Sequence, residues 1–241
     1  MKPGEVQMWR IVNASAARVY RLAIPGEKLL VVGSDGGLLE RPKEVDDFLL
    51  ANSERVELLV RGAQTPGSRT VLQSLPYDRY DPHTRPPDWQ TPLDVLSLRY
   101  APDPPLSPAT IPATLRVIPA IDTSHVAAHR VLVLSQGLIN GKTMDMMRVD
   151  IRARLGTTEI WTIQNVVGMD HPFHLHGFRF QVLDRDGVPE PYRSWKDSVN
   201  IPKHSMVRIV VRFDDYGGRW MYHCHILDHE DMGMMGILEL R

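Results

Sequence analysis

Long apolar runs, clustered charge of one sign and paired cysteines are all missing from this sequence. No apolar run approaches the ~20 residues that a bilayer-spanning helix requires. Acidic and basic residues nearly cancel, leaving a formal charge of −1 over 241 residues, and the basic ones are scattered. That leaves no electrostatic footprint for nucleic acid or an anionic membrane surface. Cys224 is the one cysteine, so an intrachain disulfide is excluded and cysteine usage says nothing about the redox compartment. Met1-Lys2-Pro3-Gly4-Glu5 lacks the apolar core of a signal peptide. The expectation is that the chain stays in the cytoplasm or that a targeting segment is absent from it. Sustained helical periodicity is missing too.

What is present is strand pattern. Val6–Val12 roughly alternates, and Arg18–Ile24 alternates up to the Pro25-Gly26 turn signal. Leu29–Val32, Arg55–Arg61 and Thr70–Gln73 follow. Residues 76–119 then hold eleven of the nineteen prolines. Proline removes a ladder donor and fixes φ, so this stretch is expected to be a semi-extended connection, with a strand near Val95–Tyr100. Alternation resumes at Arg130–Leu134, Glu159–Asn165, Phe178–Leu183 and Met206–Phe213. With 43% hydrophobic residues the chain can bury a proper core. Many short strands at even spacing predict an all-β fold of the Greek-key sandwich or barrel kind.

The chemistry is concentrated near the end. Six of the ten histidines lie in His171-Pro172-Phe173-His174-Leu175-His176 and His223-Cys224-His225-Ile226-Leu227-Asp228-His229. In a strand, successive side chains point to opposite faces. His223 and His225 therefore face one way and Cys224 the other. His174 and His176 share a face, and His171 has the opposite parity. Two donor sets result. His171, Cys224 and His229, with Met234 close by in sequence, offer two imidazoles, a thiolate and a weak thioether, the donors of a blue-copper electron-transfer site. His174, His176, His223 and His225 form an imidazole cluster suited to copper at a reactive centre. A zinc site would need four ligands, and seven or eight are on offer. Met144, Met146 and Met147 read as adaptable packing, with soft Cu(I) contact as the rival.

The segments HPFHLHG and HCHILDHEDMGMMG resemble the two copper signatures of the last domain of multicopper oxidases, the laccase and bacterial copper-oxidase family. Trp161–Asn165 and Trp195-Lys196-Asp197 resemble further segments of that domain. Ile11–Ser15 and Asp35-Gly36-Gly37 resemble the family's second domain. The resemblance implies cupredoxin-like Greek-key β-sandwiches, one partial (1–75) and one complete (120–241), joined by the proline-rich connection 76–119. It implies type 1 copper ligands at His171, Cys224 and His229 with Met234 axial, a type 2 ligand at His174, and type 3 ligands at His176, His223 and His225. Met235 reads as core. Glu230 matches an acidic residue that feeds protons to the oxygen-reducing cluster, the rival reading being a solvated carboxylate.

The function so implied is that of a copper oxidoreductase. It takes electrons from phenols, aromatic amines or metal ions at type 1 copper and passes them to a type 2/type 3 cluster that reduces dioxygen to water. The family's cluster uses eight histidines, four of them in HxH motifs of a first domain. His83, His125, His129 and His204 form no such pair and read as surface residues. The expectation is therefore a chain that starts within the second domain and lacks the first, or receives it from a separate chain. A rival is a truncated copper-binding electron-transfer module without oxygen chemistry. A periplasmic or extracellular parent protein is implied by the resemblance alone.

Overall fold

The computed structural model describes residues 1–63, 65–80, 83 and 85–241. Gln64, Asp81, Pro82 and Thr84 lie outside the described residues, and three of them fall in the expected proline-rich connection. Nearly all regular structure is strand, as the alternation predicted.

The first half builds two four-stranded sheets. One orders Val6–Val12, Arg55–Arg61, Leu29–Ser34 and Gly37–Val45; the other orders Phe48–Leu50, Tyr20–Ala23, Arg69–Leu75 and Leu93–Arg99. Between them lies a core that includes Leu22, Ile24, Leu29, Val56, Leu58 and Leu98. Gly37–Val45 was not foreseen, and Pro42 lies within it. It is tolerated because this strand is a sheet edge, where a missing N–H costs no ladder bond, and because the register slips between Val31 and Gly33. Leu93–Arg99 lies inside the proline-rich stretch yet pairs with Arg69–Leu75.

The second half packs a six-stranded sheet on a five-stranded one. The six run Leu138–Ile139, Val126–Ser135, Thr158–Asn165, Met206–Arg212, Phe180–Arg185 and Val188–Pro189. The five run Ile151–Ala153, Met235–Leu240, Gly218–Cys224, His171–Leu175 and Ser198–Ile201. Trp161 is fully buried between the layers, with Tyr222, Phe213 and Phe173 rings at 5.9, 6.2 and 6.4 Å. Its indole N–H donates to Glu159 at 2.8 Å, and Arg130 caps the same carboxylate at 2.6 Å, so the buried polar atoms are satisfied.

The two halves are clasped by charge. Gly36 donates its N–H to the Trp195 carbonyl at 2.8 Å, and a Cβ on Gly36 would collide with Trp195. Only glycine allows that approach. The approach brings Asp35 to 3.1 Å from the Lys196 ammonium, which also meets Glu54 at 3.2 Å. Arg55 grips Asp197 through two hydrogen bonds of 2.7 and 2.6 Å.

Candidate metal centre

The strand His171–Leu175 lies antiparallel to Gly218–Cys224, with Phe173 opposite Cys224 and His174 opposite His223. This register brings both histidine segments together. The second segment is not one continuous strand, however. The strand ends at Cys224, and Leu227–Asp231 forms a five-residue helix. Asp228 and Glu230 in its first turn suit the positive end of the helix dipole, and Gly233, at φ +88°, follows its end. The helix swings His229 back to the thiol.

Two donor groups emerge. The ligand atoms of His171, Cys224 and His229 lie within 4.8 Å of one another, and so do those of His174, His176 and His223. In the first group Cys224 Sγ is 3.6 Å from His229 Nδ1, and the His171 and His229 rings are 5.0 Å apart. Cys224 and His171 are buried and His229 is half-buried. Met234 is fully buried next to them; its carbonyl accepts the Cys224 N–H at 3.1 Å. In the second group His176 Nε2 and His223 Nε2 are 3.0 Å apart. His225 does not join within the same radius, but its ring centre is 5.3 Å from that of His223 and 5.7 Å from that of His174.

Tautomers are fixed by acceptors that cannot donate. His174 Nδ1 donates to the Asp197 carbonyl at 2.9 Å, and His223 Nδ1 to the Cys224 carbonyl at 3.0 Å. Each ring thus keeps its Nε2 lone pair for a metal, the usual outer support of a metal-binding imidazole. Glu230 places a carboxylate oxygen 3.8 Å from His223 Nδ1.

The donor atoms suit a soft-to-borderline redox metal. His171 Nδ1 is a buried nitrogen with no hydrogen-bond partner, an atom that a metal would satisfy. Burial, with His229 and Arg79 adding to it, lowers the His171 pKa to about 3, and burial lowers that of His174 to about 4. Both are neutral near pH 7, as ligands must be. Burial pushes the Cys224 thiol up to about 12, so an incoming cation must displace its proton, which a coordinating metal does. Two imidazoles and a thiolate beside a buried methionine fit copper.

The remaining histidines, His83, His125, His129 and His204, are exposed. Met146 and Met147 are exposed rather than packed, against the expectation for that cluster. Sequence reasoning missed the support around His174, namely Asp197, Ser198, Arg55, Asp35, Lys196 and Glu54. The signals were in view as Asp35-Gly36-Gly37 and Trp195-Lys196-Asp197, but nothing in either segment tells that they meet.

Family models described as multicopper oxidase match residues 110–240 and 1–102. A laccase from Bacillus subtilis is 29% identical over 96% of this chain and 50% of its own length. Among solved structures, the McoA multicopper oxidase of Aquifex aeolicus is 30% identical with a TM-score of 0.87, over 99% of this chain and 56% of that one. A multi-copper oxidase from Pediococcus acidilactici is 32% identical with a TM-score of 0.85, over 100% of this chain and 49% of that one. The chain spans about half the length of the curated relatives it matches.

Proposed function

The chain belongs to the multicopper oxidase family, and from that premise we propose that it carries the electron-accepting centre and half of the oxygen-facing imidazoles of a laccase-like oxidase. The reducing substrates would be phenols, aromatic amines or metal ions, and dioxygen would be the final acceptor. Bound copper would supply one-electron exchange at the first donor group and multi-electron reduction of dioxygen at the second.

The protein's own part follows from placement. His171, Cys224 and His229 are the proposed type 1 ligands, with Met234 axial. His174 is the proposed type 2 ligand, and His176, His223 and His225 the type 3 ligands. His229, the most exposed of the first group, offers the edge at which an electron would enter. Cys224 is bonded directly to His223 and His225, so the path between the groups is a few covalent bonds. Glu230 would hold a proton beside His223. The observation that carries this reading is the back-to-back arrangement of the two donor groups on consecutive residues of one strand end.

In the same reading, residues 1–75 and 120–241 are two cupredoxin-like units, and 76–119 joins them while lending the strand Leu93–Arg99 to the first. A separate cupredoxin-like domain with four more histidines would complete the second group. A periplasmic or extracellular setting is proposed from the family resemblance; among the described residues no helix is long and apolar enough to cross a membrane. One observation favours a second reading, an electron-transfer module. The other four histidines are exposed, and no two of them form an HxH pair.

The test is oxygen uptake by the copper-loaded chain. A phenol or ferrous ion should reduce it by one electron per chain, with no oxygen consumed until a domain carrying two HxH motifs is added. A chain that accepts no electron would contradict the oxidase reading. One that still consumes no oxygen with the added domain would leave the electron-transfer module.

A further inference from the structure

Arg79 is a buried cation for which the chemistry above has no use. It is 3% exposed, and its Nε has no hydrogen-bond partner. Its guanidinium lies over the Tyr80 ring, 5.2 Å from the centroid. Among the described residues no carboxylate forms an ion pair with it.

The position is held firmly. Tyr77 donates its hydroxyl to Asp170 Oδ2 at 2.7 Å, and the Asp170 N–H donates to the Arg79 carbonyl at 3.0 Å. The Lys203 ammonium donates to the Tyr80 carbonyl at 3.3 Å and meets Asp78 at 2.8 Å. Asp170 is fully buried, and Asn200 and the Lys203 N–H also donate to its carboxylate, at 2.7 and 3.0 Å. The segment 77–80 is thus pinned to the residue immediately before His171.

Arg79 is thereby held, buried, one backbone hydrogen bond from the residue that precedes His171, and its charge works with burial against protonation of His171 and His229 and against burial at the Cys224 thiol. Burying a guanidinium with an orphan N–H is costly unless anions lie close. Asp170 supplies one such charge, and Cys224 supplies another once it is a thiolate. Arginine stays protonated throughout the neutral range even when burial works against it.

We propose that Arg79 sets the redox balance of a metal held by His171, Cys224 and His229, its fixed positive charge favouring the reduced, less positive state. The proposal rests on the ligand reading above. It makes Arg79 a positioning charge rather than a catalytic residue.

The experiment equilibrates the copper-loaded 241-residue chain with ferrocyanide and ferricyanide and reads the visible thiolate-to-copper band. One electron passes from ferrocyanide to Cu(II), giving ferricyanide and Cu(I), and no proton moves. R79M should keep the band but shift the equilibrium toward Cu(II) on the order of tenfold, which is ~59 mV for one electron. R79K should stay near the wild type. Equal equilibria in wild type and R79M would overturn the proposal, as would a shift that R79K shares in full. Melting of the metal-free chains gives a second arm. Loss of a poorly compensated cation should leave R79M at least as stable as the wild type, and an R79M chain that fails to fold would make Arg79 a packing residue instead. A wild-type chain without the band would sink the ligand reading and this proposal with it. A band with unchanged equilibrium sinks the Arg79 role alone.

Discussion

Lys196→Met would remove the cation that sits between Asp35, at 3.1 Å, and Glu54, at 3.2 Å. The side chains of Lys196, Asp35 and Glu54 are 9%, 0% and 8% exposed. Burial works against the Lys196 charge, but Glu54 and Asp35 outweigh it and hold its pKa above the usual lysine value. That stabilisation is complete below the unfolded lysine pKa of about 10.4 and is lost only as pH rises through the still higher folded value. Methionine keeps most of the volume, so the expected loss is electrostatic. Breaking a buried ion pair by deleting one partner costs about 3–5 kcal/mol, and Arg55, 3.8 Å from Asp35, favours the lower end. The assay is urea unfolding of the metal-free chain. Burial already raises the Asp35 pKa, despite the lowering effect of Lys196, and removing the lysine raises it further. The penalty is therefore full above the folded Asp35 pKa. It shrinks as pH falls through that value in the variant, toward the wild-type Asp35 pKa, below which the carboxyl is protonated in both folded proteins; the unfolded chains titrate alike and cancel. Adding E54Q to K196M should recover at least ~1 kcal/mol by removing the second buried carboxylate. A loss below ~1 kcal/mol, or a loss equal at pH 7 and pH 4, would refute the reasoning.

Further outcomes follow from the same geometry. Trp161→Ala should cost about 3–5 kcal/mol, because three aromatic rings surround that indole; a small drop in melting temperature would mean that the core closes over the gap. R55M should weaken metal binding at the second histidine group by roughly 10–100-fold, because Arg55 steadies Asp197, whose carbonyl orients His174. Calorimetric titration would read this, and the thiolate band of the first group should persist; loss of both together would point to misfolding. The metal-free chain should lose stability in acid as His171 and His174 accept protons only when unfolded. The loss begins near pH 6.5 and runs to about 4 for His174 and about 3 for His171, at ~1.4 kcal/mol per pH unit for each. Unfolding that is flat over that window would show that these rings are not neutral when folded.

Much of this was legible in the sequence. Val6–Val12 and Arg55–Arg61 are strands over the residues where alternation predicted them. The parity argument grouped Cys224 with His171 because side-chain direction in a strand is set by the backbone. His229 joined that group for a reason that parity does not contain, a short helix that no periodicity signals at five residues. The Arg55–Asp197 and Lys196–Asp35 contacts join residues more than 140 positions apart. Local pattern cannot encode such separations. Arg79 was hidden for a related cause: amid eleven prolines, its stretch gave no sign of which residues turn inward.

The central claim is that Cys224 holds copper together with His171 and His229. The visible absorption spectrum of the purified chain after loading with Cu(II) tests it most directly. An intense blue thiolate-to-copper band that disappears in Cys224→Ser is the predicted result. A folded chain that binds Cu(II) without that band, or whose spectrum Cys224→Ser leaves unchanged, would contradict it.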